Sequence, residues 1–230
     1  MGKEIEKAAI ARKHNVVLKF DEHNLNEFTP ANLKKADVAI EFTTPASAVT
    51  NILKCFEASV PVVCGTTGWL SQYEEVKKIC LEKKQTFFYG SNYSIGVNLF
   101  FNLNEYLAKL MHTYNSYIPS IEEAHHIHKK DAPSGTAITL AEGLIKNHGG
   151  VKKWALKEKA ASGDLPITSI REGEVPGTHI VRYTSGCDEI EITHKAFSRQ
   201  GFAEGAVVAA EWVKGKQGVF SMKDLLNAEK

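Results

Sequence analysis

Apolar and polar positions along the first part of the chain switch between helical spacing and short apolar runs. Helical spacing opens the chain over Gly2–Arg12, and a compact run, Val16-Val17-Leu18-Lys19-Phe20, follows, closed by the polar Asp21-Glu22-His23-Asn24. That run predicts a strand. A second strand is predicted over Val38-Ala39-Ile40-Glu41-Phe42, ending at Thr43-Thr44-Pro45. Proline suits the first turn of a helix, and Val49, Ile52, Leu53 and Phe56 then share one helical face. Pro61-Val62-Val63-Cys64 runs into Gly65-Thr66-Thr67-Gly68, after which Leu70, Tyr73, Val76, Ile79 and Cys80 repeat the helical spacing. Thr86-Phe87-Phe88-Tyr89 predicts a fourth strand. Strands that alternate with helices, each followed by a short Gly and Thr loop, predict right-handed βαβ units in a doubly wound parallel sheet with helices on both faces.

After Gly90 the texture changes. A long apolar helix is predicted from Ile95 to about Met111, then a strand over Ser120–His126, a Pro-Ser-Gly-Thr turn, and a helix whose face is Ile138, Ala141, Leu144 and Ile145. Three strands follow in sequence, Ile167–Arg171, Thr178–Thr184 and Asp188–His194, separated by polar or Gly-bearing turns, which predicts an α+β layer with a substantially antiparallel sheet. Phe202, Ala206, Ala209, Ala210 and Val213 describe one more amphipathic helix, expected to pack back on the first domain. The division expected is 1–93 together with 203–230, and 94–202.

Composition narrows the function classes. The 230 residues carry 28 Lys plus Arg against 27 Asp plus Glu, a formal charge of +1, so no broad field favours nucleic acid or an anionic membrane. No apolar run approaches the roughly 20 residues needed to cross a bilayer, and Met-Gly-Lys-Glu-Ile-Glu-Lys lacks the apolar core of a signal peptide. A cytoplasmic location is expected. Cys55, Cys64, Cys80 and Cys187 form no Cys-x-x-Cys pair and read as reduced thiols.

Open α/β sheets bind ligands at the loops that follow their strands. Three such loops, Thr43-Thr44-Pro45, Gly65-Thr66-Thr67-Gly68 and Ser91-Asn92-Tyr93-Ser94, offer backbone N–H groups and hydroxyls that together suit a nucleotide, although each taken singly is equally explained by ordinary turn chemistry. Asp21, at the end of the Val16–Phe20 run, suits a ribose diol, or else is a solvated loop carboxylate; with no Arg immediately after it, the lean is toward NADH over NADPH. A dinucleotide fold needs a first strand and a Gly-x-Gly-x-x-Gly turn before its first helix, and here only the last glycine, Gly2, is available. The missing strand and glycines are expected upstream, through a start assigned too late or a truncation.

The densest chemistry lies in Glu122-Glu123-Ala124-His125-His126-Ile127-His128-Lys129-Lys130-Asp131-Ala132-Pro133-Ser134-Gly135-Thr136-Ala137. The histidine spacing matches no common zinc pattern, and no metal is expected. A solvated polar loop is the bland alternative. Against it, Gly135 and Thr136 stand at a helix start, where unpaired N–H groups and the helix dipole favour a carboxylate, and Lys129 would reinforce anion binding. Histidine is the side chain whose ordinary pKa, near 6.5, suits proton transfer at neutral pH, which makes His125 the candidate acid. Cys64 ends an apolar strand with no basic neighbour and reads as a buried thiol rather than a nucleophile, and Ser134 and Ser198 lack a nucleophile elbow.

The run Glu123-Ala124-His125-His126 through Lys129, followed by Asp131-Ala132-Pro133-Ser134-Gly135-Thr136-Ala137, closely resembles the signature of the 4-hydroxy-tetrahydrodipicolinate reductase (dihydrodipicolinate reductase) family. Phe42-Thr43-Thr44-Pro45, Gly65-Thr66-Thr67-Gly68, Ser91-Asn92-Tyr93-Ser94 with Gly96-Val97-Asn98, and the late His194, Ala196, Arg199, Phe202, Ala203, Gly205 and Ala206 look like further landmarks in the family's order. The resemblance implies a Rossmann-like doubly wound domain, its first strand missing, plus an α+β domain for substrate and oligomerisation. It implies NAD(P)H-dependent reduction of 4-hydroxy-tetrahydrodipicolinate to tetrahydrodipicolinate in lysine and diaminopimelate biosynthesis. His125 would donate or accept the proton, Lys129 would be a second donor, and His126, Gly135 and Thr136 would contact the dicarboxylate substrate. Gly2, Thr43, Gly65, Thr66, Thr67, Gly90, Ser91, Asn92 and Tyr93 would line the cofactor, and Asp21 would meet its ribose. Ile127 stands where many members carry Arg, which removes one cation. A homotetramer is implied. The alternatives are a related two-domain nicotinamide dehydrogenase and a non-catalytic or cofactor-impaired paralogue, the latter prompted by the incomplete glycine turn.

Overall fold

A computed structural model describes residues 1–198 and 200–227; Arg199, one of the landmarks above, and the tail 228–230 lie outside the described residues. The chain divides into two compact units, Met1–Ile95 with Gln200–Lys230, and Gly96–Arg199.

The first unit holds α1 (Gly2–Ala11), the single turn α2 (Pro30–Leu33), β1 (Ala39–Glu41), α3 (Pro45–Ala58), β2 (Val62–Cys64), α4 (Tyr73–Glu82) and β3 (Thr86–Tyr89). It regains α7 (Gln200–Val213), β9 (Gly218–Ser221) and α8 (Met222–Asn227) from the end of the chain. The sheet runs β1-β2-β3-β9 and every pairing in it is parallel. Neighbouring residues of one strand serve opposite layers. Val63 and Phe88 pack with α1 and α7 against Ile5, Ala206 and Ala209, while Val62, Cys64 and Phe87 pack with α3 and α4 against Ile52, Phe56 and Val76. Burial on both faces is why these strands read as unbroken apolar runs. Each such side chain contributes about 1.5–3 kcal/mol.

Val16–Phe20, predicted as a strand, is not one. The segment makes no ladder with any described strand, and Val16 and Val17 are 38% and 54% exposed. An apolar run becomes a strand only when a neighbour takes its hydrogen bonds, and β1, the edge of this sheet, pairs with β2 alone among the described residues. Conversely β9, four residues with two glycine or serine ends, is too short for its period to show in the sequence, yet it pairs with β3 from Thr86↔Gly218 to Tyr89↔Ser221.

The second unit contains α5 (Ile95–Met111), β4 (Ile118–His125), α6 (Gly135–His148), β5 (Trp154–Leu156), β6 (Leu165–Arg171), β7 (Thr178–Thr184) and β8 (Glu189–Lys195). Its sheet runs β5-β6-β4-β7-β8 and is mixed, a correction to the substantially antiparallel sheet predicted. The two pairings of β6 are parallel and the two of β7 antiparallel. Strands close in sequence do not pair here throughout, because β4, formed much earlier in the chain, lies between β6 and β7. Phe100, Ala108 and Met111 of α5 and Leu140, Ala141 and Leu144 of α6 bury one face against Ile121, Ile167, Val181 and Tyr183.

Candidate active site

Side chains alternate along β4, and the inward set is Pro119, Ile121, Glu123 and His125. The first two belong to the apolar face. The last two carry polar groups into it, at the end of the strand. Register places a row across the sheet at this level: Ser169 of β6 opposite Glu123, His179 of β7 on its other side, and His194 of β8 beyond.

Glu123 is fully buried, so its charge has to be compensated locally. Arg171 Nη2 lies 3.0 Å from Oε1, and the Ser134 amide donates to the same oxygen at 3.1 Å. His125 Nδ1 stands 3.2 Å from Oε2, too bent for a well-directed hydrogen bond, and His179 Nε2 stands at 3.9 Å. Burial pushes the Glu123 pKa up, but its contacts with His125, Ser134, Ser169 and Arg171 outweigh it and hold the carboxyl well below the usual carboxylate range. His179 moves the other way. Burial, then the neighbouring His125, lowers it from 6.5 to about 4, so it is neutral near pH 7. Its Nε2 meets Ser134 Oγ at 3.2 Å, and its ring stacks edge-to-face on His125 with centroids 5.0 Å apart.

Glu123, His125 and His179 bring three potential ligand atoms within 4.8 Å of one another, the one arrangement among the described residues with metal-like spacing. One oxygen of this carboxylate is already occupied by the Arg171 guanidinium at 3.0 Å and the Ser134 amide at 3.1 Å, so the group reads as an ion-pair and hydrogen-bond network.

The loop from β4 to α6 is tied to this network. Arg171 donates to the carbonyls of Lys129 (3.3 Å) and Asp131 (2.5 Å) as well as to Glu123, so one guanidinium sets the loop against the strand. Lys129 Nζ is held by Asp131 at 2.8–2.9 Å, and that contact keeps the Asp131 carboxyl below its usual range. His126 follows the strand end with Nδ1 buried and unpartnered, while Ile127 is 60% exposed and His128 meets Glu174 at 3.2 Å. Ser134 caps α6, its Oγ accepting from Ala137 N at 3.2 Å. The N–H groups of Gly135 and Thr136, in the first turn, have no acceptor among the described residues, and open space surrounds Gly135. His125, His126, Lys129, Gly135 and Thr136 thus converge on one end of this unit's sheet. Arg171, His179, Ser169 and Glu123 are members of the same group that carried no role in the sequence reading. The spacing of Glu123 and His125, two apart on a strand, was the available signal for Glu123; the others come from distant segments.

In the first unit the loops after β1, β2 and β3 lie side by side because their strands do. Thr43 N donates to Thr66 Oγ1 at 2.7 Å, and Thr43 Oγ1 donates to the buried Glu41, whose other oxygen accepts from Cys64 Sγ at 3.0 Å. Burial, then Glu41, pushes the Cys64 thiol far up, which leaves it inert as a nucleophile. Gly65 is glycine because the Phe42 ring occupies the place of a Cβ, with atoms 2.1 Å from it. Tyr93, expected to line the cofactor, is only 1% exposed and faces inward, its hydroxyl donating to Cys64 O at 2.7 Å beside the Gly90 amide at 3.2 Å, so it supports the loop from beneath. Asn92 Oδ1 accepts from Ser94 N, and Ser91 is exposed. The amides of Thr66 and Thr67 have no acceptor among the described residues, so this edge offers two free donors to a ligand. Asp21 is exposed, its carboxylate accepting from His23 N at 2.9 Å; among the described residues no hydrogen bond joins it or Gly2, at the start of α1, to the three loops.

Family models match both units: "Dihydrodipicolinate reductase, N-terminus" over residues 1–93 and "Dihydrodipicolinate reductase, C-terminus" over 96–226. A 4-hydroxy-tetrahydrodipicolinate reductase of Christiangramia forsetii is 49% identical over 231 aligned positions, covering 99% of this chain and 94% of the relative. A reductase of the same name from Methanoregula boonei is 36% identical, over 86% of this chain and 77% of its own. Among solved structures, a dipicolinate-bound dihydrodipicolinate reductase from Paenisporosarcina sp. TG-14 superposes with a TM-score of 0.73 at 21% identity, covering 96% of this chain and 92% of that one, which shows the shared fold. A signature carried by the β4–α6 loop, two family models that together span nearly the whole chain and close relatives of one name agree: the chain belongs to the dihydrodipicolinate reductase family.

Proposed function

We propose that the chain reduces 4-hydroxy-tetrahydrodipicolinate to tetrahydrodipicolinate, a step of lysine and diaminopimelate biosynthesis, with His125 supplying the proton and Lys129 assisting. The overall change consumes the substrate, NAD(P)H and one proton and yields tetrahydrodipicolinate, NAD(P)⁺ and water. The single observation that carries the reading is the convergence of an almost fully buried imidazole at 125, a lysine ammonium and the two unpaired amides of Gly135 and Thr136 on one strand end. Two amides at the positive end of α6 suit one carboxylate of the substrate, and His126 with Lys129 suits the other. The lysine must trade its contact with Asp131 for the substrate carboxylate, or share it.

The nicotinamide nucleotide supplies a hydride when bound. Thr43, Gly65, Thr66, Thr67, Gly90, Ser91 and Asn92 are the residues that would hold it, with the buried Tyr93 supporting their loop. The free amides of Thr66 and Thr67 fit it, and of a glycine-rich turn the described chain contains only Gly2. Asp21, which would accept from a ribose hydroxyl, favours NADH over NADPH. A homotetramer built on the face of the second sheet not covered by α5 and α6 fits the reading, as does a cytoplasmic location. A non-catalytic paralogue is not favoured, since named reductases match over nearly all of the chain.

Steady-state NADH oxidation by purified protein tests the assignment. His125→Ala and Lys129→Ala are each expected to lower turnover by about 100-fold or more. Near-normal rates in both variants would refute the proton delivery.

A further inference from the structure

Behind His125 lies a charge arrangement that the proposed proton transfer does not by itself require. The carboxylate of Glu123 is sealed from solvent, and two imidazoles from two strands face its Oε2, at 3.2 Å for His125 Nδ1 and 3.9 Å for His179 Nε2. Its other oxygen is taken by Arg171 and the Ser134 amide. Both Glu123 Oε2 and His125 Nδ1 are buried without a well-directed hydrogen bond, two complementary atoms left facing one another. Buried polar atoms in that state are rare, and at reactive sites such contacts tighten when the ligand is bound. We infer that Glu123 is a positioning residue: it fixes Nδ1 as the protonated nitrogen of His125 and turns Nε2 toward the reacting ring.

Three further observations support this. The buried nitrogen of the ring is Nδ1, so the 10% exposure that the side chain retains belongs to its other side. Gly177 lies over Nε2 so closely that a Cβ there would stand 3.1 Å from it, and with φ +154 the position favours glycine; a bare backbone leaves that nitrogen approachable. Finally, His179, the other ring near Oε2, stands farther off at 3.9 Å and its Nε2 already meets Ser134 Oγ at 3.2 Å, which leaves His125 as the ring that Glu123 orients.

The charged and titratable groups of this cluster are Glu123 and His125 on one strand, Arg171 from β6, His179 from β7, His194 from β8, and Lys129 and Asp131 from the loop. Glu123 is the one with an atom against Nδ1. A carboxylate at that place can only accept, which fixes the hydrogen on Nδ1, whereas the amide of Glu123→Gln can also donate and does not fix it.

The inference rests on the reductase reading, and the test separates the two. In Glu123→Gln, kcat is expected to fall about 10–100-fold and KM for the dicarboxylate to change less than about threefold. A variant that loses thermal stability but keeps wild-type kcat would overturn the inference, even with His125→Ala inactive. The second measurement needs no variant: ¹⁵N imidazole NMR of the neutral ring in the wild-type protein is expected to show His125 as the Nδ1–H tautomer. An Nε2–H tautomer overturns it, whether or not Glu123→Gln folds. Wild-type protein with no reductase activity would remove the functional reading alone, since the tautomer is decided independently of turnover.

Discussion

Replacing Arg171 by methionine keeps most of the side chain's length and removes its charge and five donors. In the native fold its guanidinium makes a charge-assisted contact to the fully buried Glu123 at 3.0 Å and hydrogen bonds to the carbonyls of Lys129 and Asp131. The contact to a charged partner is worth about 1.5–3 kcal/mol and each carbonyl bond about 0.5–1.5 kcal/mol. Breaking a buried pair from one side costs about 3–5 kcal/mol. Arg171 retains 20% exposure, and Ser134 N still donates to Glu123, so the loss belongs near the bottom of that range, about 3 kcal/mol. Urea unfolding at pH 7 measures it. The pH dependence carries a second signature. A carboxylate whose folded pKa is depressed contributes stability that is complete above its unfolded pKa and is lost as pH falls through the folded value. Removing Arg171 raises the folded pKa of Glu123, so the acid-side loss of stability begins at higher pH in the variant. Adding Glu123→Gln removes the uncompensated charge, and the double variant is expected to be more stable than Arg171→Met alone. A loss under about 1 kcal/mol with an unshifted acid limb would show that Ser134 and His125 satisfy Glu123 without the guanidinium.

His179 is neutral in the fold, lowered from 6.5 to about 4 by burial, so its contribution to stability is complete above about 6.5 and is lost as pH falls toward 4; in His179→Gln the pH dependence over that window flattens, and an unchanged slope by urea titration would count against the buried neutral ring. Gly205→Ala places a Cβ 1.8 Å from the Tyr93 carbonyl, a backbone atom that cannot step aside, so the melting temperature of the first unit falls by several degrees or soluble expression is lost; a wild-type melting curve contradicts the packing. Ser134→Ala removes the cap of α6 and a contact to His179, an expected loss of about 1–2 kcal/mol in urea unfolding, and a change under a few tenths would mean that the cap is dispensable.

Much of this protein could be read before any coordinates. The alternation of helical and apolar segments over Val38–Tyr89 reappears as β1-α3-β2-α4-β3 in a parallel sheet, because strands buried on both faces must be apolar throughout and the helices that cover them must keep one apolar face. The dense polar run from Glu122 to Ala137 was conspicuous for the same reason: such residues between a strand and a helix cannot serve the core. Both are local patterns, and local patterns survive in sequence. Pairing partners do not. Val16–Phe20 has the composition of a strand but lacks a ladder, and β9 has almost no pattern yet completes the sheet, since each outcome depends on what lies alongside. The second sheet is mixed because β4 sits between β6 and β7, an order that hydrogen bonding between remote segments decides. That placement is what brings Arg171 and His179, 48 and 56 residues beyond Glu123 in the sequence, to one buried carboxylate. Sequence names the groups capable of chemistry; burial and cross-strand register determine which of them hold a charge and which share it, because the cost of an uncompensated charge is set by its surroundings in three dimensions.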